Sequence, residues 1–258
     1  MPESPPLDVR QVRTRVADTR WGPVEWVAGT GSTNADIAAA ARAGARPGRV
    51  RIAEHQESGR GRLGRHWSSP AGACLAMSML TRPVVPTPAW TWMPLLAGMA
   101  VADALRTLQV DDVAVKWPND VLVGGGKICG ILADLVAAPE GPAVVLGIGV
   151  NMTLSADELP VPTATSLLLQ GADVSKTDLA VAVLRELDEQ LTRLDRGADL
   201  AAAFTATCAT IGRDVRVEVL ESEPVLGTAC GVDAQGRLGV RTAEGVTWFA
   251  AGDVFHLR

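Results

Sequence analysis

The chain has 258 residues and a formal net charge of −5, and 47% of it is hydrophobic, enough for a full core and too much for global disorder. A pI near 5.3 argues against a general nucleic-acid binder. No uninterrupted apolar run reaches about 18 residues, which excludes a transmembrane helix.

The first 20 residues read as a loose, Pro-rich lead-in with no apolar signal segment. Trp21 to Val27 reads as a first strand. Ser32 and Thr33 precede an Ala-rich helix that stops at Gly44, where a hydroxyl serves as N-cap. Val50 to Ala53 is a strand, Ser58 to Gly72 a Gly- and Arg-rich loop, and Ala73 to Leu80 a buried strand. Thr87-Pro88 opens a long helix to about Leu108, with Pro in its first turn. Asp112 to Lys116 is a strand, and Val121 to Val123 and Ile128 to Val136 flank a glycine turn as a hairpin. Ala143 to Val150 adds another strand. Ser175 to Arg196 is an amphipathic helix with a Ser175-x-x-Asp178 start and Gly197 as its stop, and a shorter helix runs to about Cys208. Beyond it, Val215, Val217 and Val219 alternate with polar residues, and turns separate short strands. The chain thus divides into a lead-in over 1–20, a main domain over 21–209 and a small β domain over 210–258. Its four cysteines and three histidines match neither metal nor disulfide spacing, which fits a soluble, reduced, cytoplasmic protein.

Of 24 cationic residues only three are lysine: Lys116, Lys127 and Lys176. Where composition favours Arg so strongly, a surviving lysine marks a place for a compact, deprotonatable cation. Lys176, in the first turn after Ser175, reads simply as a solvated helix residue. Lys127 begins an apolar strand, where an unpaired ammonium is costly and must snorkel or meet an anion. Lys116 opens KWPND, which reads either as a tight turn or as a site in which Lys116 meets a phosphate, Asn119 a polar edge and Asp120 a metal.

The segment GRGRLGRHW contains GxGxxG, but HisTrpSerSerPro follows it in place of a packed helix, so the dinucleotide fingerprint is rejected. It reads instead as a solvated basic loop, or as a flexible loop whose Arg60, Arg62 and Arg65 suit phosphates and carboxylates and whose Trp67 suits a base. Glycines in GIGVN permit close approach of a ligand or of backbone. Neither a Ser-His-Asp signature nor a plausible Cys nucleophile is present. Together the segments suggest nucleotide chemistry in which the protein positions and neutralises.

GRGRLGRHW, KWPNDV, GKICGIL and GIGVN, in this order, resemble the biotin protein ligases. The likeness is strong over residues 30–152, and the small C-terminal β domain also resembles the family's SH3-like end domain, extending the likeness over about 25–258. It implies an α+β fold: a central mixed or antiparallel sheet flanked by helices, as in class II synthetases, with a small C-terminal SH3-like β-barrel. It also implies the monofunctional class, since few residues precede the first expected strand. The substrates would be ATP and biotin, with Mg²⁺. The partner would be the biotin carboxyl carrier domain of a biotin-dependent carboxylase such as acetyl-CoA or acyl-CoA carboxylase, with no DNA and no membrane. By position, Ser32, Thr33, Gln56, Arg60, Lys127, Gly130 and Leu132 would bind biotin. Arg62, Arg65, Trp67, Lys116, Asn119 and Asn151 would bind the nucleotide. Lys127, Arg62 and Asp120 would act in catalysis, with Asp120 near the metal. Leu63 and His66 depart from the family pattern, which puts any role for those two side chains in doubt. Lipoate or octanoate ligation and a ligand-responsive regulator are the alternatives.

Overall fold

The computed structural model describes residues 6–220 and 222–257. Fourteen strands are assigned: β1 Val24–Val27, β2 Val50–Ala53, β3 Gly59–Arg60, β4 His66–Trp67, β5 Cys74–Thr81, β6 Val113–Lys116, β7 Asp120–Val123, β8 Gly126–Val136, β9 Ala143–Asn151, β10 Asp214–Glu218, β11 Val225–Val232, β12 Leu238–Thr242, β13 Gly245–Phe249 and β14 Asp253–His256. Five α-helices accompany them: α1 Val9–Arg15, α2 Thr33–Arg42, α3 Met93–Thr107, α4 Lys176–Asp195 and α5 Ala201–Thr207.

Seven strands form one mixed sheet in the order β1-β2-β5-β9-β8-β7-β6, with β1 and β2 parallel and the other pairs antiparallel. β5 and β9 are buried along their whole length, as central strands covered on both faces must be. The large core joins the sheet to α3, to the apolar stripe of α4 (Leu179, Val183, Leu184, Leu187, Leu191) and to α5. On the opposite face α2 seals only one end, through Ile37, Ala38 and Ala41 against Leu80 and Val145.

Four expectations need correction. The loose lead-in is ordered from Asp8, whose carboxylate caps α1, and Val12 and Val16 are buried; residues 1–5 of it lie outside the described residues. The helix expected from Thr87 starts as a 3₁₀ turn over Thr87–Trp92 and becomes α-helical only at Met93. The first strand begins at Val24, and Trp21 is a buried core residue whose indole donates to Leu184 O at 2.6 Å. Lys176 is not solvated: it is 3% exposed.

The C-terminal strands form an antiparallel sheet in the order β13-β12-β11-β10-β14. Two core indoles tie it to the larger domain, one before α3 and one in the β6–β7 turn: Trp92 donates to Ala234 O at 2.8 Å and Trp117 to Gly236 O at 3.1 Å. No helix among the described residues is long and apolar enough to cross a membrane.

Candidate active site

The face of the large sheet left open by α2 carries one transverse row of residues in register. Ala53, Ala76, Gly149, Gly130, Asp120 and Lys116 follow one another across β2, β5, β9, β8, β7 and β6. The row is side-chain-poor in its middle and charged at one end. Trp67 lies flat on that middle: a Cβ at Gly149 would come within 2.6–2.9 Å of three indole atoms, and one at Gly130 within 2.7 Å. Gly149 of GIGVN and Gly130 of GKICGIL therefore open a trench for a ring, whereas Gly147 and Gly126 make room for Asn34 and Thr165. Among the described residues the Trp67 indole N–H is buried without a hydrogen-bond partner.

At the charged end, Lys127 Nζ sits 2.6 Å from Asp120 Oδ1, with side chains 31% and 18% exposed. The lysine stem passes beside Gly130, and the backbone of Lys127 is fixed by Thr163 and Thr165. Burial lowers the Lys116 pKa, Asp120 and Asp253 oppose that shift, and Lys127 adds to it. KWPND is indeed a turn between β6 and β7, with a cis Trp117-Pro118 peptide. Its Trp117 is 1% exposed and belongs to the core. Asn119 is a strut: its amide donates to Ile131 O at 2.8 Å, and its carbonyl accepts from Arg62 at 3.2 Å.

At the other end of the trench the parallel β1/β2 ladder continues as a Thr30–Gln56 bridge. This carries Gln56 to the N-terminus of α2, where its Oε1 accepts from the Thr33 N–H at 2.9 Å and the Thr33 hydroxyl at 3.0 Å. Ser32 caps the helix. Behind them Ser78 lies 2.7 Å from Thr33 Oγ1 and 2.5 Å from Asn34 Oδ1, and the Asn34 amide donates to Asp134 at 3.0 Å. Asp134 in turn is 4.0 Å from Arg60.

The segment GRGRLGRHW forms the small β3/β4 hairpin, with a tight turn over Arg62–Gly64 and exposed Leu63 at its tip. Arg62 also donates to Gly252 O at 3.2 Å, and Arg65 pairs with Asp253, so the tip rests on the C-terminal sheet. Leu132, Arg62 and Asn119 line an open cleft of about 360 Å³ beside the trench. Gln56, Thr33 and Lys127 are not in its lining; they face the trench that Trp67 fills.

Of the expected site residues, Ser32, Thr33, Gln56, Arg60, Trp67, Gly130, Lys127, Asp120 and Lys116 gather along this one row. Asn151 stands apart: it is buried, its amide donates to Thr165 O at 2.9 Å, and its Oδ1 faces the Cys74 thiol. The two thiols beside the trench are poor nucleophiles, because burial pushes Cys74 up to about 11 and raises Cys129 as well. Sequence reasoning missed Ser78, Asp134 and Asp253. A lone hydroxyl in the apolar run of β5 and a lone carboxylate in β8 were the available signals for the first two, because a buried polar group must find a partner; Asp253 offered none.

The biotin/lipoate A/B protein ligase family matches residues 33–151, and the biotin protein ligase C-terminal domain matches residues 210–257. A biotin--[acetyl-CoA-carboxylase] ligase of Mycobacterium tuberculosis is 43% identical over 98% of this chain and 97% of that protein. The chain belongs to the biotin protein ligase family. The ligase of the same description from Paracoccus denitrificans is 33% identical over 79% of the chain and 88% of its own length. Among solved structures, the Aquifex aeolicus biotin protein ligase in complex with biotin and ATP has a TM-score of 0.78 at 24% identity, covering 92% of this chain and 100% of that one. The Leishmania major ligase in complex with biotinyl-5-AMP has a TM-score of 0.59 at 23% identity, covering 88% and 98%. These likenesses bear out the α+β fold with its SH3-like C-terminal domain. This family member is therefore an enzyme of the ligase class.

Proposed function

We propose that this chain activates biotin with ATP to biotinyl-5′-AMP and transfers the biotinyl group to a lysine of a biotin carboxyl carrier domain. That domain is read as part of acetyl-CoA carboxylase, after the printed activity of the relatives. The observation that carries the reading is the transverse row itself. Its side-chain-poor floor of Ala76, Gly149 and Gly130, now covered by the Trp67 ring of the loop, suits an apolar ring once the loop yields it, and it gives way to Asp120, Lys116 and the nearby Lys127 for charge.

In the first step a biotin carboxylate oxygen bonds to the α-phosphorus of ATP, and the bond from that phosphorus to the bridging oxygen breaks, releasing pyrophosphate. Two anions must meet, so cations fixed in advance where charge develops lower the barrier. Lys127 exchanges Asp120 for the carboxylate and α-phosphate, while Arg62 approaches from the loop and Lys116 from β6. Gln56 and Thr33 bind the polar edge of biotin, with Ser32 beside them. Arg60, Gly130 and Leu132 complete the biotin wall. Arg65, Trp67 and Asn119 serve the nucleotide, and Asn151 holds the 163–165 segment against Lys127.

In the second step the acceptor amine attacks the acyl carbon, the bond to AMP breaks and the amine releases a proton, for which Asp120 is read as the acceptor. Among the described residues no group of three or more His, Cys, Asp or Glu could hold a metal. A Mg²⁺ ion would therefore arrive on ATP with Asp120 as a protein ligand, as Mg²⁺ commonly binds through phosphates and one or two carboxylates. When bound it neutralises phosphate charge.

Incubating the protein with ATP, Mg²⁺, biotin and an apo carrier domain should add one biotinyl mass to the acceptor. An unmodified acceptor, or equal transfer from lipoate, overturns the reading.

A further inference from the structure

One ionic contact away from the trench is more deeply buried than any within it. The Lys176 side chain is 4% exposed and its ammonium lies 2.6 Å from the carboxylate of Glu54, itself 25% exposed. Lys176 is the first residue of α4, where the helix dipole disfavours a cation. The lysine therefore does nothing for its own helix; its charge answers Glu54.

Glu54 and Gly72 are the two ends of the loop that carries Gln56, Arg60, Arg62 and Trp67. The Gly72 N–H donates to Glu54 O at 3.1 Å, and the Glu54 N–H donates to Val27 O at 3.0 Å. A Cβ on Gly72 would lie 3.0 Å from the Glu54 carboxylate and 3.6 Å from the Lys176 ammonium. The ammonium thus packs into the stem between both ends of the loop, two residues from Gln56.

We propose that Lys176 is a positioning residue for ligand binding: paired with Glu54, it clasps the loop stem and fixes where Gln56 and the loop arginines are presented. This rests on the reading of the loop as the biotin-binding element. A pair that served stability alone could be exchanged for apolar residues without loss of biotin binding, and such swaps are often neutral or stabilising.

The double variant Lys176→Met/Glu54→Met separates the two roles, because it leaves no uncompensated charge. It should fold with a thermal midpoint at or above that of Lys176→Met. Its KM for biotin should rise about three- to tenfold, the worth of one misaligned hydrogen bond, with a smaller fall in kcat from the displaced loop arginines. Trypsin should cut after Arg60, Arg62 and Arg65 faster than in the unaltered protein. Glu54→Gln, which keeps an oxygen facing the ammonium, should fall between the two in both measurements. Native KM and native cleavage in either folded variant would overturn the clasp. Failure of the unaltered protein to release pyrophosphate with biotin would instead overturn the ligase reading, and the cleavage comparison stands without activity.

Discussion

The stem and the tip of the 54–72 loop are held by opposite means. At the stem a buried ion pair and backbone hydrogen bonds join Glu54, Gly72 and Lys176. At the tip the holding groups are exposed: Arg65, 58% exposed, reaches Asp253, and Arg60, 52% exposed, only approaches Asp134. Solvated pairs are worth about 0–1 kcal/mol, whereas stranding one partner of a buried pair costs about 3–5 kcal/mol. The loop is therefore fixed where it joins the sheet and exchangeable where it meets charge. Arg62, bonded to a carbonyl of the C-terminal sheet and to Asn119, can give up neutral partners for an anion.

The sharpest break in this contrast comes at the charged end of the row. Lys127→Ala should lower biotin-dependent pyrophosphate release by about 10²–10³, the usual cost of removing a group that stabilises transition-state charge. A loss below tenfold would remove Lys127 from that role. Gly149→Ala places a methyl where the Trp67 indole now lies. Overpacking of this kind costs about 1–3 kcal/mol, and the thermal midpoint should drop accordingly; an unchanged midpoint would mean the indole is not seated there. Asp253→Asn should free the tip alone. Trypsin cleavage at Arg65 should rise, more at low than at high ionic strength, with stability changed by less than about 1 kcal/mol.

A pH-dependent effect concerns His256, which lies 3.1 Å from Thr210 Oγ1. Burial, with Lys116 and Arg213 nearby, lowers its pKa from 6.5 to about 4. A depressed folded value means the native state resists protonation. This contribution is intact above about pH 6.5 and is lost as pH falls toward 4. Thermal midpoints should decline across that window, and His256→Asn should flatten the decline; an unaltered slope would exclude His256 as its source.

Most strands and the two-part organisation were legible because period-two patterns and glycine turns report local geometry directly. The row was legible only in pieces: each glycine, Lys127 and KWPND was visible, but their alignment is a matter of register between strands distant in sequence. Lys176 was misread for the same reason. Its place in the first turn of an amphipathic helix says solvent, and only the approach of Glu54, 122 positions away, reverses that. Trp67 was legible as a ring in the basic loop, but its seat on Gly130 and Gly149 again depends on register between distant strands.

The indoles of Trp92 and Trp117 that end on Ala234 and Gly236 have a thermodynamic consequence. Both rings are essentially buried, so undocking the small sheet would break two hydrogen bonds worth about 0.5–1.5 kcal/mol each and expose part of the apolar rings that now pack against it. Partial unfolding of that sheet is thereby penalised from within the larger core. Because Trp117 neighbours Asn119 and Asp120, heat or denaturant should take both sheets and the turn that carries these residues in one cooperative transition.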